Sequence, residues 1–226
     1  MTAKGDYFPT RINEYVPNMQ YAADVRYGGM GTIVIPACAA TSATAIAAAA
    51  TANATAGTEL LAASYTIDAK FGRNVIMAAS GATGSSAVFR VRGKDYLGQP
   101  MCEDIAVANA DGTTTKAGVK AFKTVTSVKA TTAAANAVTL AIGFGNVLGL
   151  PYSSLKLISE LVSKVVPTAG TFVAGVSPAT VQTVTTADPR GTYTPQASFL
   201  PNGTREYELT FMHDYDSLHG NRHFYV

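Results

Sequence analysis

Val75-Ile76-Met77, Ala87-Val88-Phe89-Arg90-Val91, the run from Val119 to Val128, and Val138-Thr139-Leu140-Ala141-Ile142 follow one another between Asn74 and Pro151. Each run is short, and turn material separates them: Ser80-Gly81-Ala82-Thr83-Gly84-Ser85, Gly93 to Gly98, and Asn109-Ala110-Asp111-Gly112, which reads as a hairpin turn. Val88, Arg90 and Arg92 alternate with Phe89 and Val91, the pattern of a half-buried strand. Val119, Phe122, Val125 and Val128 recur at helical spacing, but β-branched Thr124, Val125, Thr126 and Val128 favour strand. The stretch predicts the spine of an antiparallel β domain.

The pattern continues downstream. Leu155 to Val166 satisfies both periods and is assigned to strand, Thr171 to Val176 and Val181 to Thr186 are strand candidates, and Asp188 to Pro195 is a rigid, irregular crossing. Arg205 to Phe211 places Tyr207, Leu209 and Phe211 on one face and is the clearest strand in the chain. Upstream, Leu60 to Ile67, Phe71 to Ala79 and Thr32 to Ile35 are strand candidates, while the Ala/Thr-rich segment 37–57 reads as β-rich or irregular. Residues 1–31 form an irregular arm, because Pro9 and Pro17 deny it a long helix and the Gly28-Gly29-Met30-Gly31 run breaks the chain. The expected organisation is therefore an arm, 1–31, followed by one all-β domain, 32–226.

Composition narrows the functions open to such a chain. Of 226 residues only 14% are charged, against roughly 25% in average soluble proteins. A net charge of +2 with dispersed basic residues does not suit counterion-driven binding to nucleic acid. Ile33 to Thr58 is long and uncharged, but Ala and Thr dominate it, so no membrane span is expected. No charged segment followed by an apolar one opens the chain, so folding in a reducing cytoplasm is expected, with Cys38 and Cys102 as buried or inert thiols.

Chemical motifs are weak. Gly143-Phe144-Gly145-Asn146-Val147-Leu148-Gly149 imitates a dinucleotide loop, yet Leu150-Pro151 follows where a helix must begin, and no acid closes a second strand. A tight glycine turn presenting Leu148 and Leu150 is the expectation. His213, His219 and His223 with Asp214 and Asp216 hold metal-ligating atoms, but Gly220 and Phe224-Tyr225-Val226 do not support the helix that the four-residue spacing of His219 and His223 would need. Glu103-Asp104 and Glu206 with Glu208 read as solvated strand positions, and neither Ser85-Ser86 nor Ser153-Ser154 has the setting of a nucleophile elbow. The expectation is a protein without catalytic residue, cofactor or metal.

Phe89 to Gly98, Lys120 to Val128, Gly143 to Pro151, Asp188 to Pro195 and Pro201 to Thr204 resemble tailed-bacteriophage virion proteins over about two thirds of the chain. The Ala/Thr-rich segment before Gly57 has no counterpart in that likeness. The resemblance implies a β-sandwich or jelly-roll subunit of the virion, a decoration or cement protein on the capsid. It would bind the major capsid protein and copies of itself as trimers or dimers, with no nucleic acid and no membrane as partner. Interface residues on this reading are Tyr7, Phe8, Tyr15 and Tyr21 of the arm, Leu148 and Leu150, and Phe224 and Tyr225 of the tail. A head-to-tail connector or tail-tube component is the alternative within the virion, and a secreted adhesin or carbohydrate-binding module is the alternative outside it.

Overall fold

The structure, a computed structural model, describes residues 29–52, 56–81, 85–109, 113–131, 138–151, 154–175, 188 and 190–213. Within them the chain forms thirteen strands and one 3-10 turn, Ala197–Phe199. The strands are β1 (Gly29–Ile35), β2 (Ser42–Ala52), β3 (Tyr65–Thr66), β4 (Arg73–Gly81), β5 (Ser85–Lys94), β6 (Pro100–Asn109), β7 (Thr113–Phe122), β8 (Thr124–Ala130), β9 (Val138–Gly149), β10 (Ser154–Val162), β11 (Thr171–Ala174), β12 (Gly191–Thr194) and β13 (Tyr207–His213). Among the described residues no helix is long and apolar enough to cross a membrane.

Three antiparallel sheets result, with orders β1-β13-β10, β11-β12-β9-β4-β7 (β2 also pairs with β9), and β3-β8-β5-β6. All three contribute to one apolar core: Ile35, Leu209 and Phe211 from the first, Met77, Leu140 and Ile142 from the second, Phe89, Val91 and Val128 from the third. Period-2 alternation supplies these side chains, so the expectation of an all-β antiparallel sandwich holds. The orders above do not by themselves define a jelly-roll. β13 buries Tyr207, Leu209 and Phe211 as its alternation predicts.

β4 is central, paired on both sides, and bulged against each neighbour. At the bulges the Asn74 side chain replaces lost ladder bonds: Nδ2 donates to the Gly118 carbonyl at 2.8 Å, and the Val147 amide donates to Oδ1 at 3.1 Å. Arg73, next to it, is fully buried; Nε donates to the Gly145 carbonyl at 2.7 Å and Nη1 to the Ala39 carbonyl at 2.6 Å, with the guanidinium 4.5 Å from the Phe144 ring centre. These contacts pin the β1–β2 connection to the sheet.

Three local expectations are corrected. Gly143 to Gly149 is not a turn but the second half of β9. A Cβ at Gly143 would overlap the Ser42 carbonyl of β2, so glycine here permits a close strand approach and not a reversal. Residues 110–112 of the expected hairpin turn lie outside the described residues, but the strands on either side are not hairpin partners: β6 pairs with β5 and β7 with β4. Gly29–Gly31, assigned to the arm, belongs to β1 and pairs with Phe211–His213.

Candidate interaction surface

The most charged part of the interior lies where the edges β6 and β7 of two sheets meet. Glu103 of β6 is fully buried, contrary to the expectation of a solvated pair, while Asp104 beside it turns outward to Arg90. The Val119 amide donates to Glu103 Oε1 at 2.6 Å, and Lys120 Nζ reaches back to the Cys102 carbonyl at 3.1 Å. The Ala121 amide donates to Asp188 Oδ2 at 3.0 Å. Carboxylates therefore close N–H groups on the edge of β7 that no strand among the described residues pairs. A side chain at Gly118 would overlap the Glu103 carboxylate, so glycine makes the room.

Asp188 continues the clasp. Its Oδ1 accepts from the Arg190 amide at 2.9 Å, and Arg190 forms a buried ion pair with Asp95, whose Oδ1 accepts from the Leu97 and Gln99 amides in the β5–β6 turn. Burial pushes the Glu103 carboxyl up to about 8, against the pull of the Val119 and Lys120 amides and the Lys120 charge. Burial likewise lowers Lys120. Raised carboxyl values attract a catalytic reading. Here Glu103 accepts from the Val119 and Lys120 backbone amides of its own fold, which is the arrangement of a structural clasp.

The opposite anomaly sits where β10 and β11 end their sheets. Ile158, Val165, Val166 and Val173 are 47, 60, 76 and 43% exposed. After β10 the chain reverses through Ser163 and Lys164, both left-handed at φ 50° and 67°, with Val162 and Val165 exchanging backbone hydrogen bonds of 2.8 and 3.0 Å. This is the backbone of a type I′ hairpin turn, normally built from Asn and Gly. The Ser163 amide donates to the Glu206 carbonyl at 2.8 Å, and the Gly170 amide to Glu160 Oε1 at 2.7 Å. Both ends of the 163–170 segment are thus tied down, and the valines stand out between them. Val166 and Ile158 line a groove of about 400 Å³ together with Leu157, Leu161, Pro167 and Ala169. Beneath it, burial first and the Glu160 carboxylate second hold the Tyr193 phenol above its ordinary range.

Of the interface residues expected from sequence, Leu148 and Leu150 are corrected: they are 1 and 2% exposed in the core, because the glycine run that was to lift them out is strand. Tyr7, Phe8, Tyr15, Tyr21, Phe224 and Tyr225 lie outside the described residues, as do His219 and His223. His213 ends β13. Glu206 is exposed and Glu208 half-buried. Cys38 and Cys102 are both buried free thiols. Among the described residues no three His, Cys, Asp or Glu side chains group as a metal site. Sequence reasoning missed Val165 and Val166, which it placed within a strand candidate; the Ser163-Lys164 turn carries neither Asn nor Gly to announce it. The chain matches no family model, no curated protein and no solved structure.

Proposed function

We propose that this chain is a structural subunit of a tailed-bacteriophage virion, a cement protein that decorates the capsid and stabilises its lattice. On this reading it binds the major capsid protein and copies of itself, as trimers or dimers. The observation that carries the reading is the ridge of Ile158, Val165, Val166 and Val173, apolar side chains held out of the core where two sheet edges end. Each large apolar side chain buried at a seam contributes roughly 1.5–3 kcal/mol before ordering costs. Low charge and a surface of Ala, Thr and Ser suit a subunit with covered flanks. The residues that carry the phage resemblance lie largely in β5, β7, β8 and β9, so the likeness is one of scaffold.

The test is a density map of the particle that contains this chain. A cement protein is present in hundreds of copies along lattice seams, with the Val165-Val166 ridge in a contact. A single ring of about a dozen subunits at the neck or tail would replace this reading with a connector or tail-tube role. Val165→Asp with Val166→Asp should keep the fold and abolish incorporation. Full incorporation of that variant would remove the ridge as the carrier of the reading.

A further inference from the structure

We propose that the outer face of the β3-β8-β5-β6 sheet binds an extended acidic segment of a partner protein, with two carboxylates two residues apart seated on Arg92 and Lys94. Arg90, Arg92 and Lys94 project from alternate positions of β5, opposite the core-facing Phe89 and Val91. Their cross-strand partners differ. Arg90 lies between Lys129 and Asp104 and is forked by Asp104 through two hydrogen bonds of 2.7 Å. Lys129 in turn lies 3.9 Å from Glu59. That row is internally neutralised.

The next rows are not. Arg92 stands between Ser127 and Cys102, and Lys94 between Thr124 and Pro100, so neither cation has a carboxylate beside it on the sheet. Both are exposed. Two grooves meet at Arg92: one of about 270 Å³ lined by Lys94, Pro100, Met101 and Thr126, and one of about 510 Å³ lined by Arg90, Glu59, Ser127 and Lys129. Side chains on alternate positions of a strand repeat at roughly 6.7 Å, and so do the alternate carboxylates of an extended peptide. The two patterns fit without bending either chain.

The face also selects among anions. Single-stranded nucleic acid needs aromatic platforms for its bases as well as cations. Among the described residues no aromatic side chain lines either groove, and Glu59 and Asp104 would repel a continuous phosphate chain at the Arg90 row. An acidic peptide avoids that repulsion by placing a neutral or basic residue there. This proposal does not depend on the virion reading.

Fluorescence anisotropy of the full chain with a labelled, end-blocked peptide centred on Glu-Ser-Glu-Ser tests it, alongside oligothymidine of equal charge, at low and at physiological ionic strength. The peptide should bind, and added salt should weaken it. Arg92→Ser with Lys94→Ser should weaken it by at least about tenfold, and Thr126→Asp, which sets a carboxylate in the same groove, should do likewise. Lys156→Ser with Lys164→Ser removes the same charge elsewhere and should change nothing. The proposal is overturned if the two double variants weaken binding equally, if oligothymidine binds as tightly as the peptide, or if the peptide fails to bind at low salt.

Discussion

The β6–β7 clasp and the β10–β11 ridge are mirror-image violations of the rule that apolar groups go inside and charges outside. At the clasp, Glu103, Lys120, Asp188, Arg190 and Asp95 are buried, and their hydrogen bonds hold two sheet edges together. At the ridge, Val165 and Val166 stand in solvent on a turn with two left-handed non-glycine residues. The first violation is answered within the chain, since each buried carboxylate meets backbone amides or a cation. The second has no answer within the described residues, which is why it points outward. Buried polarity here builds the fold, and exposed apolarity carries the proposed contact.

The sharpest way to break that comparison is to remove one charge from the clasp and one methyl-bearing side chain from the ridge. Arg190→Met leaves Asp95 buried without its ion pair, and such a deletion costs about 3–5 kcal/mol. Val166→Ser on the exposed ridge should stay within about 0.5 kcal/mol. Urea unfolding of the two variants measures both. Equal losses would mean that the buried ion pair does not hold the clasp together.

Acidity sharpens the comparison next. Glu103 titrates at about 8 in the folded chain, above its ordinary 4.5, so the folded state holds a proton that the unfolded chain releases. The stability this confers is complete below the unfolded value and is lost as pH rises through the folded one, a span worth on the order of a few kcal/mol. Lys120, lowered by burial, contributes with the opposite sign: its share is present above its ordinary value and is lost as pH falls through the folded value. The difference in unfolding free energy between the wild type and Glu103→Gln should therefore shift against the wild type between pH 5 and pH 8. A pH-independent difference would show that Glu103 keeps an ordinary carboxyl in the fold. Val165→Ser and Val166→Ser should leave the profile unchanged, because the ridge holds no titrating group.

Much of the scaffold was legible because β5 and β13 each face one core with alternate residues, so Phe89 and Val91, or Tyr207, Leu209 and Phe211, reveal their own burial. The same alternation held a clue to the clasp. Met101, Glu103, Ile105 and Val107 form one row, and Glu103 sits in it between buried apolar neighbours. What closes the clasp was not legible, since the Val119 amide meets Glu103 from the next strand and Asp188 meets the Ala121 amide of β7 from 67 residues away. The glycine run of β9 misled for a related reason. Gly143 must be glycine because of β2, some hundred residues earlier, and Gly145 and Gly149 because of Asn74 and Phe71, and no local pattern records those neighbours.

The smallest expected effect separates the shape of the ridge from its chemistry. Ser163 and Lys164 hold a conformation that costs non-glycine residues on the order of 1 kcal/mol each, whereas Asn and Gly adopt it readily. Ser163→Asn with Lys164→Gly should therefore raise stability by about 1–2 kcal/mol in urea unfolding, because the backbone bonds between Val162 and Val165 are kept. The valines would stand where they stand now, so incorporation into particles should persist at the wild-type level. A stabilised variant that no longer assembles would move the contact from the valines to the Ser163 and Lys164 side chains. A destabilised one would mean that the turn is not type I′.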